Sequence, residues 1–472
     1  MMQSIQKMFA PRDLTQGKPM TGIVQFAIPL LLGNLAQVLY NTVDAIVVGK
    51  YVGDNALGAV GLAGPVINLM IVLFMGISTG ASIVVSQYFG AKDRDSLSKS
   101  VGTIMMLTLI SSVIMSIVGT LCANPLLVLL GTPAEMLEMA SAYLSIVMMW
   151  MVSSAFYNIL GGVLRGMGDS VGPLLYLLVA SILNIILDIL FVTQFGMTTD
   201  GVALATGISQ FVSAILCVRR LYKMKNVIDF NRSIFKIDKP IMMRIVRLGL
   251  PSGLTQMIFS LSSILVQSLT NSLGPLVVTA STAIMRVDGF AMMPNFTFGV
   301  AATTFTGQNI GARRLDRVRE GAKVTMKLAV AVSTVMTLGI LLFGENLMRV
   351  FTQTDEIVNL GVTMFRTLAV GYIVFGITQT LQGVMRGAGE TMIPMYISVI
   401  TTVVLRMPIA YLWAHLSTTP ELPNGDPMCL YGSLLIAWIT GCVLTSIAYR
   451  QGNWKKKSGI VENETIQPEG SN

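Results

Sequence analysis

Apolar residues run through this chain in blocks of about 20 or more, separated by short stretches where lysine, arginine, glycine and proline gather. A helical block of about that length crosses the hydrocarbon core of a bilayer. The pattern predicts twelve spans, at about 23–48, 58–88, 101–122, 135–163, 171–194, 201–221, 243–271, 276–307, 322–343, 357–384, 391–415 and 430–449. The first span is not uniformly apolar. Its stretch "LLGNLAQVLYNTVDAIVVG", Leu31 to Gly49, carries Asn34, Gln37, Asn41 and Asp44. Spaced i, i+3, i+7 and i+10, these fall on one helix face. Lipid would penalise such a stripe, so it is expected to face protein or a wet cavity.

Composition agrees with a polytopic membrane protein. The 472 residues are 53% hydrophobic and 12% charged, against about 25% charged in an ordinary soluble domain, and the mean hydropathy is +0.70. The first apolar run, preceded by Lys7, Arg12 and Lys18, is too long for a signal-peptide core and is expected to be retained. Nearly all lysine and arginine falls in the N-terminal segment, in the loops near 90–100, 165–170, 219–247, 311–327 and 386–390, and in the tail from Arg450. The alternate loops hold little beyond Lys50 and Arg349, with Glu421 and Asp426 in the last. This is the positive-inside pattern with both termini cytoplasmic, in a bacterial plasma (inner) membrane. The net charge of +8 is thus read as topology, and no nucleic-acid partner is expected. Cys122, Cys217, Cys429 and Cys442 are scattered and the sole histidine is His415, so no disulfide or metal cluster is predicted.

Two motifs recur at a nearly constant offset of 221. "GGVLRGMGDSVGP" at 161–173 matches "QGVMRGAGETMIP" at 382–394, and "SQYFGAKD" at 86–93 matches "GQNIGARR" at 307–314. The expected organisation is a six-helix bundle at 1–221, a cytoplasmic linker at 222–240, a second bundle at 241–451 and a polar tail at 452–472. Six spans is an even number, so the halves enter the membrane in the same sense. The fold class is therefore an all-α membrane protein, with twelve transmembrane helices in two parallel-repeat six-helix bundles around a central cleft. Carriers that work by alternating access commonly have this plan.

"NTVDAIVVGKYVGDNALGAVG", the turn "LRGMGD", its partner "MRGAGE" and "RVDGFAMMP" in span eight resemble the multidrug and toxic compound extrusion (MATE) family, over essentially the whole chain apart from its ends. The resemblance implies two six-helix bundles exporting organic cations or amphipathic drugs against inward Na⁺ or H⁺. It is to the subclass with an acid in the first span, whose pattern carries onto Asp44, Asn184, Asp188 and Thr206 as the cation-coupling site. The residues agree with that implication. Asp44 has no basic partner within its own span, and Asn184 and Asp188 are i, i+4 on a helix face. If the helices meet, two carboxylates, an amide and a hydroxyl form an oxygen cage for Na⁺ or a proton. The alternative is that Asn184 and Asp188 only hydrogen-bond neighbouring helices. Other family members place acids in spans seven and ten, where this chain has Gln256, Gln267, Gln379 and Gln382, so coupling is expected in the first half.

Gln37, Tyr40 and Asn41 on the first-span stripe, Tyr143 and Asn158 in span four, and Arg286, Asp288 and Met292 in span eight are candidate substrate contacts. Arg286 and Asp288, two apart, point to different sides; each lines the cleft or is tied between helices, and Arg406 is read the same way. The 32 methionines suit a surface that repacks around varied ligands, though most simply fill the membrane. Pro29 removes one backbone donor and is a candidate hinge that couples Asp44 occupancy to the cleft, or else a static kink. "GISTG" at 76–80 fits a nucleophile-elbow pattern but sits in an apolar helix, and the pairs Gly76/Gly80, Gly162/Gly166, Gly307/Gly311 and Gly383/Gly387 are read as close helix packing. No phosphate-binding GxxxxGK[ST] occurs.

These features point to a secondary active exporter and not an enzyme. No cofactor is expected beyond the coupling ion, and the expected partners are membrane lipid and small organic cations or drugs, with the chain a monomer. An alternative on the same architecture is a flippase or exporter of a lipid-linked sugar precursor or a metabolite. Arg286 and Arg406 are the only clear mid-span bases, which weighs against a pyrophosphate ligand.

Overall fold

The computed structural model describes residues 11–420 and 422–457. Lys7, Glu421 and residues 458–472 of the polar tail lie outside the described residues. Among the described residues the chain is helical throughout, with no strand. Among the described residues eleven helices are long and apolar enough to cross a membrane, or twelve when a bent pair is counted as one span. The chain is a multi-pass membrane protein.

The first half comprises α1 (Pro19–Val47), α2 (Asp54–Gly90), α3 (Arg94–Leu129), α4 (Ala134–Met149), α5 (Met151–Gly166), α6 (Val171–Thr193) and α7 (Thr199–Lys223). The second comprises α8 (Lys239–Ser272), α9 (Pro275–Gly311), α10 (Leu315–Arg349), α11 (Asp355–Gly387), α12 (Met392–Val399), α13 (Met407–Leu416), α14 (Met428–Gln451) and the short α15 (Asn453–Lys457). The helices form two compact units. One contains Gln25–Gly253 and the residues up to Asp13; the other contains Leu14–Val24 and the residues from Leu254 onward. Helices α1 and α8 are divided between them.

Three local features depart from the hydropathy reading. Helices α3, α8 and α10 begin four to seven residues earlier than the expected spans at 101, 243 and 322. Their first turns are charged, so they extend the helix beyond its apolar stretch. Asp93 caps α3 by accepting from Ser96 N at 3.0 Å, and Lys99 pairs with Asp95 at 2.5 Å. The expected fourth span is broken into α4 and α5, bent by 50° at Trp150. Neither proline nor glycine sits at the break. The bend lays the Trp150 indole against Gly207 of α7, where an added Cβ would meet Trp150 Cγ at 2.3 Å, and edge-on to Phe211 at 6.1 Å. The eleventh span contains a π segment, Ile400–Arg406, between α12 and α13. Pro408 has no N–H to offer the carbonyl of Val404, and the register widens just before it.

The repeat is visible in the backbone itself. Left-handed φ values occur at Gly53 and Gly274 (116° and 104°), at Lys92 and Arg313 (56° and 57°), and at Gly168 and Gly389 (84° and 92°). Each pair is separated by 221 positions. The acids of "GMGD" and "GAGE" then start the next helix. Asp169, held by Arg220 at 2.9 Å, accepts from Gly172 N at 2.8 Å, and Glu390 accepts from Met392 N and Ile393 N at 3.1 Å. Helix packing repeats too. In the first unit Gly162 and Gly166 of α5 lie on α2, where an added Cβ would come within 2.2 Å of Ser78 Oγ and 2.7 Å of Ser82 O. In the second, Gly383 and Gly387 of α11 lie on α9, with 2.4 Å to Gly299 O and 2.4 Å to Thr303 O. Gly76 and Gly80 serve the same end, lying on Gly253, Ile245 and Gly249 of α8 within the first unit.

The linker after α7 folds onto the first unit. Its turn at Arg232–Phe235 packs on α3, Asp229 N donates to Ser98 Oγ at 2.9 Å, and Asp238 N donates to Thr103 Oγ1 at 3.1 Å. In the second unit a cradle holds the N-terminal segment. Leu14 N donates to Gln308 Oε1 at 2.8 Å, and the Arg317 guanidinium donates to the carbonyls of Leu14, Gln16 and Gly17 at 3.0–3.3 Å.

Candidate functional site

Asp44 sits on the last turn of α1, just before a π turn at Val48–Val52 that packs on α6 and α7. Asn184 and Asp188 lie one turn apart on α6 and are fully buried. Their side chains meet Asp44 from one side and α7 from the other: the Asp44 and Asp188 carboxyls face each other, and Asn184 Nδ2 donates to Thr206 Oγ1 at 3.4 Å. The first unit thus brings Asp44, Asn184, Asp188 and Thr206 together. Tyr40 and Tyr143, expected as substrate contacts, are also buried here with their hydroxyls beside the two carboxyls. The Tyr40 hydroxyl lies near Thr206 without a hydrogen bond of normal geometry.

The notable property of this cluster is what its oxygens face. Among the described residues, no hydrogen-bond donor reaches the buried Asp44 Oδ1, Asn184 Oδ1 or either Asp188 oxygen. Among the described residues neither carboxyl forms an ion pair with a lysine or arginine. Two carboxylates that face each other without a donor between them repel, and a buried unpaired charge is costly. A proton shared between the two, or a hard cation bound to both, removes that repulsion. The residues present fit such a cation: two carboxylates, a carboxamide oxygen and neighbouring hydroxyls are all oxygen donors.

The remaining first-unit candidates are arranged differently. Asn34 and Asn41 of the stripe are exposed, while Gln37 is half-buried and donates to Asn41 Oδ1 at 3.4 Å. Gln37 and Asp44 are the half-buried members of the stripe, and Asp44 Oδ1 is fully enclosed. Asn158 serves helix packing, its Nδ2 donating to Ser154 O at 2.8 Å while its carbonyl accepts from Ser78 Oγ at 2.9 Å. Pro29 lies inside α1, which continues on both sides of it.

The second unit contains a separate cavity of about 380 Å³. Asp288, Met292 and Arg406 line it, as do all four glutamines, Gln256, Gln267, Gln379 and Gln382. Arg286 points elsewhere: it is exposed and does not line this cavity. The Tyr372 hydroxyl donates to Asp288 Oδ1. Arg406 ends the π segment, and its buried Nε has no hydrogen-bond partner among the described residues. Phe375 packs edge-on to Phe296 and tilted against Trp438, at 5.5 and 5.1 Å between ring centroids, to form an aromatic wall. Sequence reasoning did not anticipate Tyr372, Tyr431 or the convergence of the glutamines. Pro408, two residues after Arg406, was the one local signal that the helix would be irregular there.

Comparison with known proteins places this geometry in context. The MatE family model matches residues 29–190 and 251–412, one match in each half. The probable multidrug resistance protein YoeA of Bacillus subtilis (strain 168) is 29% identical over 441 residues, 92% of this chain and 93% of that protein. The multidrug export protein MepA of Staphylococcus saprophyticus is 21% identical over 423 residues, 89% of this chain and 93% of its own length. Among solved structures, the crystal structure of MATE in the bent conformation superposes with a TM-score of 0.87 at 26% identity, covering 94% of this chain and 98% of that one.

Proposed function

The chain belongs to the MatE family, and from that premise we propose that it is a secondary active multidrug exporter, moving organic cations and amphipathic drugs outward by antiport with inward Na⁺ or H⁺. The observation that carries the coupling step is the buried oxygen cluster of Asp44, Asn184 and Asp188, with four oxygens lacking any donor. Its charge must change between loaded and empty states, which makes it a switch. The basic loops favour a plasma-membrane protein with both termini in the cytoplasm. One positive charge moving inward down 100 mV releases about 2.3 kcal/mol, enough for roughly a 50-fold solute gradient. No nucleotide is needed.

In the proposed cycle the exporter takes its drug from the cytoplasm and releases it outside by alternating access. The coupling cation then binds between Asp44 and Asp188 and neutralises the facing carboxyls. Loading relieves the repulsion between α1 and α6, and Pro29 gives α1 a point at which to bend in response. Release of the cation inside resets the pair.

The test is efflux from proteoliposomes under an imposed Na⁺ or pH gradient. Wild type should respond to one of these gradients. Asp44→Asn and Asp188→Asn should lose gradient-driven efflux while retaining wild-type expression and gel-filtration behaviour. Undiminished efflux by either variant rules out this coupling site.

A further inference from the structure

A groove of about 760 Å³ runs along the first unit, lined by α3, the start of α5, the end of α7 and the linker. Helices α3 and α7 each pack on α5, and the linker turn packs on α3. Most of the lining is apolar. Leu109, Phe211 and Ile215 are exposed within it, so the groove is open at the surface. Along α7 the lining runs from Phe211 to Tyr222, about 16 Å at about 1.5 Å per residue. That is about half of the roughly 30 Å hydrocarbon core, the depth of one leaflet. Ser153 apart, the polar residues gather at one end: Arg219 and Tyr222 close to the end of α7, and Asn231 in the linker. Charge collects at the same end. Arg219 is exposed and forms no ion pair among the described residues, whereas its neighbour Arg220 is held by Asp169. Lys223 follows Arg219 by one turn, and the Lys225 ammonium lies 5.0 Å over the Tyr222 ring. The acids close by in sequence and fold are engaged: Asp95 with Lys99, Asp229 with Arg94, and Asp238 as the acceptor of Ile241 N at 3.0 Å. The mouth of the groove is therefore left positive.

We propose that this groove holds an anionic phospholipid of the cytoplasmic leaflet, with an acyl chain along Leu109, Phe156, Phe211 and Ile215 and the headgroup phosphate on Arg219. The apolar length matches one leaflet, and an unpaired guanidinium at the end of that length is where a phosphate would stand. Basic residues between transmembrane helices on the cytoplasmic side suit anionic headgroups, and a tyrosine suits the same depth. The inference rests on the proposed orientation of the chain only for naming the leaflet.

Native mass spectrometry of the purified, delipidated full chain tests it, with dioleoyl-phosphatidylglycerol and dioleoyl-phosphatidylcholine as probes of identical chains. Wild type should bind one phosphatidylglycerol about tenfold more tightly than phosphatidylcholine, the worth of a charge-assisted hydrogen bond. Arg219→Gln should bring phosphatidylglycerol to the level of phosphatidylcholine, and Arg219→Lys should restore part of the preference. Ile215→Trp fills the groove from an exposed position and should weaken both lipids. Lys323→Gln removes an exposed charge near the start of α10 and should change neither. Equal binding of the two lipids by wild type, or an equal loss in Lys323→Gln and Arg219→Gln, overturns the proposal. So does displacement of the lipid by millimolar inorganic phosphate, which would make Arg219 a site for free anions. A dimer that Ile215→Trp abolishes would make the occupant a second copy, and overturns it too. No gradient enters these measurements, so their failure is distinct from a failure of the coupling site, which shows only as retained efflux in Asp44→Asn.

Discussion

Asp188→Asn should make the protein more stable in the absence of coupling cation while abolishing its response to that cation. The wild-type site places four acceptor oxygens, Asp44 Oδ1, Asn184 Oδ1 and the two of Asp188, in a buried space without a donor. A carboxamide at position 188 has the same shape as the carboxyl and brings two N–H groups. One of them can satisfy Asp44 Oδ1 directly. Supplying a donor to a buried acceptor is worth about 1–3 kcal/mol. For a unit of this size each kcal/mol moves the midpoint of thermal unfolding by about 2–4 °C. On the proposed coupling, wild type gains that relief from its ligand: a cation at 100 times its dissociation constant would stabilise by about 2.7 kcal/mol.

The assay is thermal unfolding in detergent across a titration of Na⁺ at fixed pH, and of pH at fixed Na⁺. Wild type should start low and rise along one of the two axes, whereas Asp188→Asn should start several degrees higher and stay flat along both. Two results would refute the reasoning. A variant that keeps the wild-type ligand response shows that Asp188 does not contact the ion. A variant destabilised by several kcal/mol shows that the carboxylate has a partner essential to folding, and the switch then has no two states.

Other expectations follow from the packing and the caps. Gly383→Ala puts a Cβ at 2.4 Å from Gly299 O and should lower stability by about 1–3 kcal/mol, the usual cost of overpacking, read as a reduced midpoint of thermal unfolding. Arg317→Ala removes the donor to three carbonyls of the N-terminal segment and should expose residues 11–18 to limited proteolysis, with unchanged cleavage arguing that the cradle contributes nothing. Ser96 holds the Asp93 carboxyl below the usual carboxylate range, so this cap contributes above the ordinary aspartate pKa and fades as pH falls through the lowered value. Asp93→Ala should therefore cost about 1 kcal/mol near neutral pH, with the deficit shrinking in acid.

Much of the fold was legible because membrane burial acts through residue type alone. Apolar runs marked the spans, and glycine and aspartate marked the turns that recur at 221. The meeting of Asp44 with Asn184 and Asp188 was legible too, since the latter two share a face by spacing and Asp44 stands alone in an oily span. The break at Trp150 was not, because the space that takes its indole is set by a residue distant in sequence, Gly207. Nor was the second-unit cavity. Asp288, Tyr372, Arg406 and Tyr431 come from four helical segments, and no spacing within any one of them reveals that they converge. The glutamines at 256, 267, 379 and 382 read as the absence of acids; in three dimensions they are the polar lining of that cavity.

The two units also show which residues build and which bind. Positions that set the backbone, such as Gly53, Gly168, Gly162 and Gly166, have a counterpart of the same residue type 221 residues later. Positions that hold chemistry have none: Asp44, Asn184 and Asp188 map onto Leu265, Leu405 and Ile409, while Asp288, Tyr372 and Arg406 map back onto Ile67, Met151 and Ile185. Burying a polar cluster in an oily bundle costs stability, so a scaffold that needed neither cluster would carry aliphatics at both sets of positions. Each unit does carry aliphatics where the other is polar, which demonstrates that the shared scaffold tolerates them. The two polar clusters therefore occupy different positions of the shared scaffold, and folding of that scaffold is not what calls for them. An aliphatic replacement that transplants one unit's residue into the other, such as Asp188→Ile, should then leave expression and gel-filtration behaviour intact while abolishing gradient-driven efflux from proteoliposomes.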